Sequence, residues 1–172
     1  MSAASPRSLT EVAPGVWTAT ADIWTSLTTV VVADDGACLV VDPGITVAEV
    51  DGLAAAIDAR GWRVVAGFST HPHWDHVLWG AALGDMPRWA TPAAVRRQSA
   101  VREADWAKAV ADAPGHDAAL FGALTALPDG AAAVPWDGPR AVVVEHAAHA
   151  PGHAALVLPG AGALAAKAAA SG

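Results

Sequence analysis

Cysteine, positive charge and long apolar runs are all scarce in this chain, and each scarcity removes a class of protein. The single cysteine, Cys38, excludes an internal disulfide. It lies in the apolar run "ACLVVD", where a buried thiol acts as a small hydrophobe. Ten Lys and Arg stand against seventeen Asp and Glu, a formal net charge of −7. A nucleic-acid or anionic-membrane binder needs clustered positive charge, so neither partner is expected. The acidic residues are scattered, as on an ordinary solvated surface. The N-terminal "MSAASPRSLTEVAPGVW" lacks the apolar core of a secretory signal. The apolar stretch near the C-terminus is cut by Pro159 and several glycines and is too short to span a bilayer. The expectation is a soluble, cytoplasmic chain. With 53% hydrophobic residues it is not disordered, and 172 residues suit one domain with a real core.

The first forty residues read as strands: "GVWTATA", "LTTVVVADD" and "ACLVVD", with Asp34-Asp35-Gly36 as a hairpin turn. "DPG" at 42–44 stops the third. Thr46 and Glu49 then form a T-x-x-E capping box. Val47, Val50, Leu53, Ala54 and Ile57 follow at helical spacing, and Gly61 ends the helix. "RVVAGFST" is the next strand. Thr91-Pro92 opens a second helix that runs to Pro114-Gly115, and "HDAALFGALTAL" reads as a shorter helical piece. "RAVVVEH" and "HAALVLP" are strands on either side of the loop "AAHAPG". Strands first, then alternating helices and strands, predict an α/β sandwich in one domain over 1–172, with no internal repeat.

Chemistry concentrates in "STHPHWDHVLWG", residues 69–80, just past a strand end. His71 and His73 are two apart, so in extended backbone they face one side and can share one metal ion. Asp75 and His76 come at the next turn. Zinc takes nitrogen and carboxylate ligands, and a catalytic zinc leaves one position open for water, whose pKa it lowers to ~7. A carboxylate beside that water can orient it or take its proton. The third ligand must come from His116, His146, His149 or His153. His116 opens a helical segment and reads as a surface or capping residue. His149, in a Pro-Gly loop after a strand, is the best placed of the four, with His153 across the turn.

His71-Pro72-His73-Trp74-Asp75-His76 resembles the H-x-H-x-D-H signature of the metallo-β-lactamase fold hydrolases. "VDPG" at 41–44 resembles that family's strand-end Asp motif, and "HAPGH" at 149–153 its H-T-P-G-H segment. The three occur in the family's order, and the likeness runs from Val12 to about Leu164. The resemblance implies a four-layer αββα sandwich with the metals at one edge between two sheets. It implies His71, His73 and His149 on a first metal, and Asp75 and His76 on a second. Asp75 would also orient the nucleophilic hydroxide, with Asp42 and His153 supporting the ligands from behind. The implied activity is zinc-dependent hydrolysis, with one or two ions, of a small-molecule ester, thioester, lactone or amide. Iron or manganese suits the same donors. The two rival readings are a non-catalytic metal-binding or assembly fragment and an iron-dependent oxidoreductase of the same fold.

The likeness stops near the end. The family's next strand closes in Gly-Asp, whose carboxylate bridges both metals. Here Lys167-Ala168 stands at that point, and no Asp or Glu follows Glu145. The expectation is the N-terminal two-thirds of the sandwich, with 165–172 a linker-like or non-native tail. A weak second metal follows. So does an exposed apolar sheet face and edge through which copies could associate.

Overall fold

The computed structural model describes residues 4–165 of the chain. Two strands, β1 (Thr10–Ala13) and β2 (Val16–Thr20), form a hairpin that continues into β3 (Leu27–Val32) and β4 (Ala37–Val41). These four pair antiparallel in chain order. The β3–β4 turn is the one the Asp-Asp-Gly sequence predicts: Gly36 takes φ 81 and Asp35 accepts from the Ala37 N–H at 3.0 Å. Three parallel strands then extend the sheet to seven: β5 (Arg63–Phe68), β6 (Arg88–Ala90) and β7 (Thr125–Ala126). The switch to parallel pairing requires three crossovers, and helices supply two of them: α1 (Val47–Asp58) before β5, and α2 (Pro92–Asp112) before β7, while the segment from β5 to β6 carries two 3-10 turns. Both begin as the sequence predicts. Thr46 and Glu49 make the reciprocal capping box of α1, and the Thr91 hydroxyl caps α2 with Pro92 in its first turn.

A second, three-stranded antiparallel sheet holds β8 (Val142–His146), β9 (His153–Leu158) and β10 (Ala163–Ala165), in the order β10-β9-β8. Alternation along the strands decides which sheet face packs where. Val16, Val31, Leu39, Val41, Ala66 and Phe68 point from the large sheet toward Ala154, Leu156 and Leu158 of the small one. Their neighbours Ala19, Val30, Cys38 and Val40 point the other way, onto Val50, Leu53, Ala56 and Ile57 of α1. Each large side chain so buried contributes roughly 1.5–3 kcal/mol. Cys38 is fully buried, and burial pushes its thiol pKa up to about 12, so it packs and does not react. A third cluster joins α2 to the metal-motif segment: Ala109 and Ala113 against Trp74, Val77, Leu78 and Phe121.

The layers are therefore helix, sheet, sheet. Among the described residues, no helical layer covers the outer face of the small sheet, where Val144 is 45% exposed. Lys167 and Ala168 lie outside the described residues.

One expected element is corrected. The segment 116–127 is a chain of turns ending in β7, not a helix. Its apolar spacing mimics a helix, but its backbone is bound elsewhere. The Gly122 N–H donates to Val77 O at 3.0 Å, and Leu127 N–H to Ala90 O at 2.9 Å. Gly122 sits at φ 61 against the Gln98 side chain, a conformation that ends helical winding. The short strands β1, β6, β7 and β10 were not predicted. At two to four residues they are too short to show a pattern.

Candidate metal centre

The centre grows from the carboxyl ends of the parallel strands β4 and β5. Asp42 leaves β4 with φ 48, a left-handed backbone that Asp tolerates better than most residues. That turn aims its carboxylate at the segment after β5. Oδ1 accepts from the Thr70 N–H at 3.0 Å, and Oδ2 accepts from the Thr70 hydroxyl at 2.6 Å. The hydroxyl has then used its only proton, so it accepts from His71 Nδ1 at 3.0 Å. His71 is thereby held with its proton on Nδ1 and its Nε2 lone pair directed away, the form that binds a metal. Asp42 Oδ2 also bonds His76 Nδ1 at 2.8 Å.

His73 follows Pro72 in extended backbone, its ring centroid 4.7 Å from that of His71. His149 comes from the other sheet, on the loop between β8 and β9. Its ring lies 4.9 Å from His71 and 4.7 Å from His73. One ligand nitrogen from each of the three falls within 4.8 Å of the others. His71 is buried, His73 half-buried and His149 exposed, so the cluster has a closed base and an open mouth. Three imidazoles and an open side suit a metal ion that takes nitrogen ligands and keeps a position free, and the residues fit such an ion.

The His149 loop is held against α2. Gly152 has φ 75, and a Cβ there would meet Ala94 N at 2.3 Å and Thr91 Oγ1 at 2.5 Å. That close approach lets the Thr91 hydroxyl donate to Gly152 O at 2.7 Å while it accepts from Ala94 N–H. The Ala154 N–H donates to Thr70 O at 2.8 Å and joins the second sheet to the first beside His71.

Asp75 and His76 sit together on a single 3-10 turn, Trp74–His76, both buried, with Asp75 Oδ2 3.0 Å from His76 Nε2. Burial alone would lower the His76 pKa. The charge and hydrogen bond of Asp42, joined by Asp75, outweigh it and push the value up to about 9. Asp75 and His76 therefore face each other beside the three histidines. His153 is buried too, its ring 4.7 Å from His71 and 5.6 Å from His149. Neither of its ring nitrogens has a hydrogen-bond partner. Burial, followed by the nearby His146 and His149, lowers its pKa to about 4.

His116 is not the surface or capping residue its sequence position suggests. It is half-buried, and its Nε2 bonds Ile45 O at 2.7 Å, bracing the loop after Asp42. Glu49 does more than cap α1. It accepts from the backbone N–H groups of Asp22 at 2.7 Å, Ile45 at 2.9 Å and Thr46 at 2.9 Å. Burial raises its pKa, but these three donors and Arg7 reverse that and hold it below the usual value. Sequence reasoning also missed Thr70. The only signal was a hydroxyl directly before the first histidine.

Residues 22–166 match the model of the metallo-beta-lactamase superfamily. The chain belongs to that superfamily. Solved structures of the same fold agree. A beta-lactamase domain protein from Burkholderia ambifaria superposes with a TM-score of 0.61 at 20% identity, over 88% of this chain and 53% of its own. A metallo beta lactamase from Erythrobacter litoralis gives 0.59 at 21% identity, over 88% of this chain and 66% of its own. The protein VMB-1 gives 0.63 at 15% identity, over 91% of this chain and 67% of its own. The chain thus spans between half and two-thirds of the length of the first two structures. No curated protein matches it. His71, His73 and His149 are placed to hold a metal ion. Among the described residues no helix is long and apolar enough to cross a membrane.

Proposed function

We propose that this chain is a zinc-dependent hydrolase of a small-molecule ester, thioester, lactone or amide. The observation that supports it most is the meeting of His71, His73 and His149 within 4.8 Å, with His71 held in its metal-binding tautomer through Thr70 and Asp42. His71, His73 and His149 would hold the ion, which supplies Lewis acidity and makes water a stronger nucleophile near neutral pH. The remaining chemistry belongs to the chain. Asp75, buried and bonded to His76, whose ring lies 4.0 Å from that of His71, takes the proton of the attacking water at a carboxylate oxygen. His76 orients that carboxylate from 3.0 Å, and Asp42 orients His76 in turn. The exposed side at His149 admits substrate.

Asp75 and His76 would be the protein's groups on a second ion. Two groups hold a cation weakly, and by register Ala168 stands where the family's bridging aspartate would. We therefore expect one tightly held ion per chain.

The test is elemental analysis of dialysed protein with hydrolysis assays on ester, thioester and lactone panels, for the native chain and His73→Ala. The expected result is about one zinc per chain and loss of most of that zinc, with any turnover, in His73→Ala. Unchanged zinc in His73→Ala would refute the assigned ligands. Bound zinc without hydrolysis of any substrate would favour the metal-binding fragment. Iron with oxygen consumption would favour the oxidoreductase.

A further inference from the structure

Next to the three-histidine cluster, whose His71 lies 4.7 Å from the His153 ring, the small sheet carries a second meeting of imidazoles. His146 ends β8 and His153 begins β9, and the two are directly opposed across the ladder. Side chains at opposed positions on neighbouring antiparallel strands stand on the same sheet face within reach of each other. Their rings are 4.3 Å apart between centroids and tilted by 40°. A single ion with metal–nitrogen bonds of ~2.1 Å can touch both.

The second observation concerns His153. It is 2% exposed, yet neither ring nitrogen has a hydrogen-bond partner among the described residues. A buried polar group left unsatisfied costs about 1–3 kcal/mol, so such groups are rare without a reason. His146 is half-buried and gives the pair access to solvent. Among the described residues, its side-chain hydrogen bond is at Nδ1, which the Ala148 N–H reaches at 3.4 Å, the outer limit for such a bond and easily surrendered.

We propose that His146 and His153 form a separate divalent-cation position, completed by water, that takes nitrogen-preferring ions. The affinity order follows ligand chemistry, with Cu2+ above Ni2+ and Zn2+, and with Ca2+ and Mg2+ excluded for want of oxygen ligands. This position uses neither His73 nor the Asp75–His76 pair. With two protein ligands it binds more weakly than the three-histidine cluster and is emptied by dialysis.

The test uses the full chain carrying His73→Ala and His149→Ala, which leaves one imidazole of the cluster. Calorimetric titration with Cu2+ should show one equivalent bound, with nitrogen coupling in the electron paramagnetic resonance spectrum. Adding His146→Ala should weaken that binding at least tenfold, while adding His76→Gln should leave it unchanged. His146 lies at the rim, so its removal should not disturb folding, and circular dichroism checks this. A crystal of the native chain soaked in Zn2+ should show anomalous density between His146 and His153. The proposal is overturned if His146→Ala leaves Cu2+ affinity intact, if His76→Gln removes it, or if no Cu2+ binds. These readouts need no hydrolysis, so they stand or fall apart from the proposed activity.

Discussion

The two halves of the metal centre are built to different standards. On the side of the seven-stranded sheet, Asp42, Thr70, His71, His76 and Asp75 form one chain of buried hydrogen bonds, each between 2.6 and 3.0 Å. On the side of the small sheet, His149 is exposed, the His153 ring nitrogens have no hydrogen-bond partner among the described residues, and the loop is held mainly by the contact of Gly152 with Thr91 and by the Ala154 N–H to Thr70 O bond. The difference follows from where the groups originate. The carboxyl ends of β4 and β5 are neighbouring parallel strands, so one carboxylate leaving β4 reaches the residues that leave β5. Among the described residues, the β8–β9 loop has no neighbouring strand end in its own sheet and takes its position from the core between sheets and from α2.

The largest test of that contrast removes the core that holds the halves together. Leu156→Ala deletes a fully buried side chain between the sheets. It should cost about 2–5 kcal/mol in urea unfolding, and it should weaken metal binding by letting His149 drift. A loss below 1 kcal/mol would mean the small sheet is not docked as described. Gly152→Ala acts on the loop alone. A left-handed φ and a Cβ 2.3 Å from Ala94 N should together cost roughly 3 kcal/mol, with zinc affinity falling alongside.

Asp42→Asn attacks the ordered half. Asn tolerates the same backbone, but its NH2 cannot accept from the Thr70 hydroxyl or His76 Nδ1 as Asp42 Oδ2 does, so stability should fall by about 1–3 kcal/mol. The lost charge behind His71 and His76 should reduce zinc affinity ~10–100-fold in a chelator competition. Equal affinity would show that Thr70 orients His71 without help. Glu49→Gln tests the brace behind Asp42 through pH. Glu49 has a lowered native pKa, so its contribution is complete above its ordinary value of 4.5 and is lost as pH falls through the native value. The native chain should lose stability over that acid range more steeply than the variant. At pH 7 the variant should be less stable by about 1–2 kcal/mol. The smallest effect should come from Val144→Ser on the open face of the small sheet, within ~0.5 kcal/mol, because that side chain is 45% exposed already. A larger loss would mean that this face is covered in solution.

Local patterns were enough to determine much of this protein. The alternating runs of β2 to β5, the Asp-Asp-Gly turn, the Thr46–Glu49 box and the Thr91-Pro92 start each depend on residues a few positions apart, and so they are legible in the sequence. The spacing of His71, His73, Asp75 and His76 is local too, and its resemblance to a known signature carried the family. What only the tertiary structure decided are relations across the chain. Thr70 orients His71 because Asp42, 28 residues earlier, takes its proton. Gly152 matters because α2 begins beside it, 61 residues from Thr91. His116 faces inward because Ile45 O, 71 residues away, offers a partner. The turns at 116–127 replaced a helix because Val77 and Ala90 claimed their N–H groups. Propensity and periodicity describe what a segment favours alone. A hydrogen bond to a distant strand end depends on how the sheets pack, and packing is decided by the whole core at once.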